Sequence, residues 1–490
     1  VTPDASTESV ESGASPGRSV GIIGAGPAGM TAAYRLSQAG VPVTVYEASG
    51  GVGGMARSFE LWGQIVDVGP HRFFSTDTRV NSLWLEVVGG DYSMVDRLTR
   101  IFYNSRFFHY PIQPLDAVRN LGFGTAALCV ASYLREKIAP TPGAGTFDSW
   151  VTNRFGRRLY EIFFKNYSEK LWGIPCRDLD ADFAAQRIKK FSLGEAIKNA
   201  CGLSRVRHKT LVDQFAYPHG GTGSVYDRMA AAVRRSGGVV ALHAPVRRVV
   251  TRDGHAVGIE TVDGGFHPHS HVISSMPLTL LVKTLDGVGD EAREAAERLR
   301  FRNTIIVYLQ IDGSDIFPDN WIYVHSPELR TGRITNFRNW VPQLSNGCRE
   351  TILALELWCN ADEALWTADD GDLIAVAKQD FAALRLGSRA RVIDGHVVRI
   401  SRCYPVYARG YREHVGVVRR GLERIENLQV IGRFGSFKYN NQDHSILMGL
   451  LAAENIVSGA GHDLWGVNTD YDNYQERSLI TATGLAAVAG

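Results

Sequence analysis

Val20 to Ile23 is a short apolar run, and the chain then turns through Gly24-Ala25-Gly26-Pro27-Ala28-Gly29. Thr31 to Ala39 continues with helical spacing, and Val41 to Tyr46 is a second apolar run closed by Glu47. That order of strand, turn, helix and strand is what gives a Gly-x-Gly-x-x-Gly pattern its meaning, and it predicts a dinucleotide-binding α/β fold. Gly24 permits the tight turn, Gly26 lets the backbone approach a pyrophosphate, and Gly29 lets helix and strand pack closely. The helix N-terminus offers free N–H groups to phosphate oxygens. Glu47 lies 18 residues past Gly29, where its carboxylate can take both ribose hydroxyls. It would repel a 2′-phosphate, so the adenosine half is not of the NADP kind.

A chain of 490 residues exceeds one ordinary domain, and two or three are expected. The formal net charge of +2 gives no bulk attraction to nucleic acid or membrane, so basic residues that matter act locally. Six cysteines are scattered with no CxxC pair and no Cys/His cluster. This argues against a metal site or a disulfide framework and for free thiols in a reducing, cytoplasmic setting. Residues 1 to 18 are rich in Ser, Gly, Pro and acid, lack the plan of a signal peptide, and read as a disordered tail. The longest apolar run, Leu121 to Leu134, is interrupted by Gly122, Gly124, Thr125 and Ser132. It is too short and mixed to span a bilayer, and a buried helix is expected there.

A second glycine cluster, Gly50-Gly51-Val52-Gly53-Gly54-Met55-Ala56-Arg57, follows the first. It resembles the second flavin-contacting loop of the large flavoprotein superfamily of amine oxidases, desaturases and sugar mutases. The resemblance implies FAD, with Gly54 and Arg57 among its contacts. Val239 to Val250, Val257 to Val262 and Phe266 to Ile273 read as strands, with turns at Asp253-Gly254 and Asp263-Gly264-Gly265. Apolar residues at helical spacing run from Phe147 to Trp172, stopped by Gly173 and Pro175, and resume from Arg177 to Ala200. Strand-like runs recur between Thr304 and Arg402, interrupted by a helix near Asp372 to Leu386. The expected fold class is α/β. A Rossmann-like FAD-binding domain (19–111, 211–300 and 428–490) carries an inserted helical domain (112–210) and an antiparallel β-sheet substrate domain (301–427).

The stretch Gly432-Arg433-Phe434-Gly435-Ser436-Phe437-Lys438-Tyr439-Asn440-Asn441-Gln442-Asp443-His444-Ser445 closely resembles the C-terminal flavin segment of the UDP-galactopyranose mutase family. Gly69-Pro70-His71-Arg72-Phe73-Phe74 is similar to that family's segment beside the flavin. Lys170 to Pro175 with Arg187, Tyr217 to Gly223, Trp321-Ile322-Tyr323 with Arg333, and Tyr404-Pro405 match its further elements in order. The asparagine that the family carries before Tyr217 is absent, Leu211-Val212-Asp213-Gln214 standing there, and two residues are missing between Tyr439 and Asn441. These departures leave the sugar and base unnamed.

The resemblance implies an FAD-dependent isomerase that interconverts pyranose and furanose forms of a nucleoside-diphosphate sugar. Reduced flavin N5 attacks the anomeric carbon without net redox, and NAD(P)H could reduce the flavin beforehand, although no second dinucleotide motif is present. Arg187 and Arg333 would clamp the pyrophosphate by bidentate, charge-assisted bonds. Tyr404, Tyr439 and Asn441 would assist them, Trp321 and Tyr323 would line the nucleobase pocket, and His71 would stand at the flavin edge. Arg433, Asp443, His444 and Ser445 would hold the flavin. The rival reading is an amine oxidase-like or desaturase-like oxidoreductase on the same scaffold. Neither reading calls for nucleic acid or membrane, and the oligomeric state is not legible.

Overall fold

The computed structural model describes residues 18–143, 145–182, 214–387, 390–468 and 478–487. All but one residue of the 1–18 tail, Arg187, Leu211-Val212-Asp213 and most of the helical stretch expected from Arg177 to Ala200 lie outside them; the start of that stretch is a 3-10 turn at Cys176–Asp178 followed by bridges at Leu179 and Asp180.

Five parallel strands form the nucleotide sheet in the order Leu428–Val430, His271–Ser274, Val20–Ile23, Val43–Tyr46 and Val239–Ala241. Strands brought from three distant parts of the chain therefore complete one sheet. The central Val20–Ile23 strand is buried along its whole length, which is why it reads as a continuous apolar run. Helix Pro27–Gln38 follows it and packs against helix Gln442–Ser458. Met30, Ala32, Ala33 and Leu36 meet Ile446, Met448 and Ala452 in this core, each large side chain contributing about 1.5–3 kcal/mol. A Cβ on Gly449 would stand 2.4 Å from the Ala28 carbonyl oxygen, so only glycine permits this approach. The expected antiparallel meander is present as Val246–Arg252, His255–Thr261 and Phe266–Pro268. The single strand expected at Val239 to Val250 is two, because Val239–Ala241 belongs to the parallel sheet and only the later part enters the meander.

The second sheet has seven strands in the order Val392–Pro405, Phe301–Ile311, Thr351–Cys359, Arg333–Asn336, Trp321–Val324, Thr99–Tyr103 and Arg106–His109. Its pairings are antiparallel except that Trp321–Val324 lies parallel to Thr99–Tyr103. The sheet is thus mixed, and two of its strands come from the segment assigned to the nucleotide domain at 19–111. The interrupting helix is Asp370–Ala383.

Phe147 to Trp172 is helical but not one helix. Gly156, at φ +85°, ends Phe147–Phe155, and a π-helical turn at Tyr160–Lys165 precedes Asn166–Trp172. The apolar run at Leu121 to Leu134 does fall in a helix, Phe123–Ile138, but that helix is not buried. Only Cys129 and Glu136 in it are, and Phe123 is 82% exposed. No helix among the described residues is long and apolar enough to cross a membrane.

Candidate active site

The dinucleotide loops are close-packed in the way their glycines require. Gly24 has φ +95°, and a Cβ there would lie 2.4 Å from Ser275 Oγ. A Cβ on Gly29 would lie 1.9 Å from the Gly24 carbonyl oxygen. Gly26 and Gly54 face one another, the Cβ position of Gly54 being 3.1 Å from Gly26 Cα, so both glycine loops converge on one place. Helix Pro27–Gln38 opens with Pro27 and has neither a side-chain cap nor an acid in its first turn. Its first N–H groups are therefore free to meet phosphate. Glu47 accepts from Ala25 N and Ser49 N, both at 2.8 Å, which fixes the carboxylate at the end of the second strand.

Three of the residues expected to hold a flavin carry buried polar atoms with no hydrogen-bond partner among the described residues. They are Arg57 Nε, Arg433 Nε and Nη2, and Asp443 Oδ1, the last lying 3.1 Å from His444 Nδ1. An unsatisfied buried polar group costs about 1–3 kcal/mol, so these atoms suit a polar cofactor that would satisfy them. Asn441 is instead an exposed N-cap of helix Gln442–Ser458, and buried His444 completes a reciprocal capping box by accepting from Asn441 N at 3.2 Å. Ser445 is buried in the first turn of the same helix.

Sheet register builds the other wall. Tyr323 is paired with Arg333 and Arg333 with Glu356, so the three stand in one row across adjacent strands. Arg333 Nε and Nη2 donate to the two oxygens of Glu356, both at 2.7 Å, in a bidentate fork. Glu356 is 2% exposed, and the Arg333 side chain 17%. Burial opposes the Arg333 charge, but Glu356 and Tyr404 hold its pKa well above the ordinary arginine value. Arg333 Nη2 also reaches the Tyr404 hydroxyl at 3.5 Å. Tyr404 stacks on Tyr439 at 5.6 Å, and the Arg433 guanidinium lies 4.7 and 4.2 Å from the two ring centroids.

His71 joins this group from the loop after strand Gln64–Asp67. Its Nδ1 lies 3.1 Å from the Gly69 carbonyl oxygen, which can only accept, so Nδ1 carries the hydrogen and Nε2 a lone pair. Burial, Arg333 and Arg433 together push the imidazole down to about 3, so His71 is neutral at neutral pH. The structure thus brings His71, Tyr323, Arg333, Tyr404, Arg433 and Tyr439 together.

Trp321 does not join them as an open pocket wall. It is 5% exposed and packs with Phe215 and Trp340 in an aromatic core. Tyr323, two residues on, reaches Tyr110 and Tyr167 at 5.4 and 5.6 Å.

Three contributors were missed in the sequence. Glu356 is the only charged residue in the wholly buried strand Thr351–Cys359, and a lone acid in an apolar run was the available signal. Tyr167 stacks on His325 at 4.6 Å. Gln442 Nε2 donates to the His71 carbonyl oxygen at 3.0 Å and to Thr222 Oγ1 at 3.1 Å, while Tyr226 donates to its Oε1 at 2.7 Å. Nothing in the spacing marks Gln442 as the link between the C-terminal helix and the His71 loop. Behind that loop, burial pushes Asp67 up to about 7 against donors from Ser58, Tyr217 and Thr222. Among the described residues no group of three or more His, Cys, Asp or Glu could hold a metal.

A family model of flavin containing amine oxidoreductases matches residues 27–456. The chain belongs to this family. Among similar proteins, a phytoene desaturase (neurosporene-forming) of Rhodobacter capsulatus is 28% identical over 308 residues, 58% of this chain and 57% of that protein. A probable UDP-galactopyranose mutase of Klebsiella pneumoniae is 26% identical over 187 residues, 36% of this chain and 46% of that protein. The chain therefore matches only about half the length of these two relatives. Among solved structures, reduced UDP-galactopyranose mutase superposes with a TM-score of 0.82 at 22% identity, over 92% of this chain and 98% of the other. A putative protoporphyrinogen oxidase from Exiguobacterium superposes at 0.70 and 17%, over 90% and 98%. These likenesses establish the α/β fold, and membership of the family establishes a flavin enzyme.

Proposed function

We propose that this amine oxidoreductase-family chain is an FAD-dependent mutase, exchanging pyranose and furanose forms of a nucleoside-diphosphate sugar without net redox. The observation that carries the reading is the charge of the cleft. Arg333 and Arg433 flank a neutral His71 beside stacked Tyr404 and Tyr439. Arg333, set among tyrosine hydroxyls, suits a substrate that brings a pyrophosphate, and Arg433 adds positive charge from the flavin side of the cleft. A flavoprotein that oxidises an apolar chain or an amine has no use for them.

Reduced flavin, when bound, supplies the nucleophile for the sugar. Arg57, Arg433 and Asp443 would hold it, with its pyrophosphate at the N-terminus of helix Pro27–Gln38. Glu356 holds the Arg333 fork in one plane, so that little side-chain freedom is lost when an anion arrives. The positive groups favour the nucleoside diphosphate as it separates from the sugar and keep it in place for return. His71 Nε2 can accept a hydrogen bond from a hydroxyl in the cleft. The proposal includes NAD(P)H as the reductant and a cytoplasmic setting, with which the five free cysteines among the described residues agree.

The test is UDP binding to flavin-loaded wild type and Arg333→Ala by titration calorimetry. One charge-assisted bond contributes about 1.5–3 kcal/mol, so the variant should bind roughly 10- to 100-fold more weakly while its flavin absorbance is retained. Equal affinity would remove Arg333 from the clamp.

A further inference from the structure

The 16-residue helix Phe123–Ile138 turns Ser132 and Glu136 inward and most of its large apolar side chains outward. Surface helices ordinarily do the reverse. Its inner side is held by polar and backbone contacts. Ser132 Oγ accepts from Arg158 N at 3.2 Å, and Glu136 Oε2 accepts from Thr141 N and Oγ1 at 2.9 and 2.7 Å. A Cβ on Gly156 would lie 2.6 Å from Tyr133 N, which marks the side on which the helix is packed.

On the outer side, Phe123, Leu128, Val130, Leu134 and Ile138 are 82, 54, 41, 53 and 85% exposed. Phe123, Ala127, Val130, Leu134 and Ile138 follow one another at spacings of four and three, which places them in one stripe. Tyr110, Leu115 and Val118 continue the exposed apolar surface. Eight of the 14 large apolar side chains exposed among the described residues therefore lie between 110 and 138, a patch rather than scatter.

The exposed charges around the stripe are mostly positive. At 100° per residue, Arg135 and Lys137 fall on opposite flanks of it, and both are exposed. Arg106, Arg119, Arg157 and Arg158 are exposed on the neighbouring segments. Of the nearby acids, Glu136 is buried and Asp116 accepts from His109 N and Asn120 Nδ2, which leaves Glu161 as an exposed acid against these six cations.

We propose that this face docks on the surface of an anionic lipid bilayer. The apolar stripe enters the boundary between headgroups and acyl chains, and the flanking cations meet headgroup phosphates. The helix is about 24 Å long and lies flat in such a contact rather than crossing the bilayer. The net charge of +2 gives the whole molecule no attraction of this kind, and the local arrangement supplies it. A second copy on the same face would set two cationic rims against each other, whereas an anionic surface complements both the stripe and its rim.

The experiment is flotation of the full chain with vesicles of phosphatidylcholine alone and of phosphatidylcholine with added phosphatidylglycerol. The proposal expects flotation with the anionic vesicles, falling as salt is added. Leu134→Asp should weaken it by at least about tenfold, and so should the double change Arg135→Glu with Lys137→Glu. All three positions are exposed, so retained circular dichroism and flavin absorbance separate lost docking from lost fold. Absence of flotation on anionic vesicles, or equal flotation on both compositions, overturns the proposal. Sedimentation velocity gives the remaining outcome: a dimer that Leu134→Asp dissociates, without flotation, overturns it in favour of self-association.

Discussion

Replacing Glu356 by glutamine keeps the size of the side chain and removes its charge. The Arg333 fork then faces one carbonyl oxygen and one NH2 group instead of two carboxylate oxygens at 2.7 Å. Removing one partner of a buried ion pair costs about 3–5 kcal/mol. Arg333 keeps some solvent contact at 17% exposure, which places the expected loss at the lower end, about 3 kcal/mol. At roughly 2 °C per kcal/mol in a larger protein, Tm should fall by about 6 °C. The sign should partly reverse with ligand, because a diphosphate in the cleft returns a negative charge to the unpaired guanidinium. Thermal unfolding followed by circular dichroism, with and without UDP, reads both effects. The UDP-induced rise in Tm should be larger in Glu356→Gln than in wild type. A Tm within about 1 °C of wild type, or a smaller rise with UDP, would refute the claim that Glu356 is the counter-ion of a phosphate-binding Arg333.

Two further outcomes follow from the geometry. Gly29→Ala places a methyl group 1.9 Å from the Gly24 carbonyl oxygen, so the glycine loop must move and the protein should purify without flavin; normal flavin absorbance would contradict this. His71 is held down to about 3 from an unfolded value near 6.5. A lowered histidine contributes stability that is present above pH 6.5 and is lost as pH falls towards 3, at about 1.4 kcal/mol per pH unit. Urea unfolding at several values between pH 4 and 7 should show a shallower pH dependence in His71→Asn than in wild type, and parallel curves would show that His71 is not held neutral by the fold.

The parts of the fold legible in the sequence were those set by local rules. Gly24, Gly26 and Gly29 announce their own close contacts, and Asp253-Gly254 marks the turn between two strands of the meander through positive φ values. Long-range pairing left no such mark. Nothing in Thr99–Tyr103 says that it will lie parallel to Trp321–Val324 rather than remain with the nucleotide domain. The apolar run from Leu121 was read as buried because hydrophobic content reports preference, not which side of a helix finds a partner. Trp321 and Tyr323 share a strand face, yet one closes an aromatic core and the other reaches Tyr110 and Tyr167, a difference set by the neighbours each meets. Glu356 stands out in the sequence as a lone acid in an apolar run, but its partner is set by register, which places it directly opposite Arg333.

The central claim is ring exchange by reduced flavin without net redox. It is tested most directly by incubating flavin-loaded protein, reduced chemically and kept anaerobic, with a panel of nucleoside-diphosphate sugars in both ring forms, products being separated by chromatography. The account predicts pyranose–furanose exchange of at least one sugar with reduced protein and none with oxidised protein. Substrate-dependent flavin reduction or oxygen uptake with no exchange across the panel would contradict it and make the chain a net oxidoreductase.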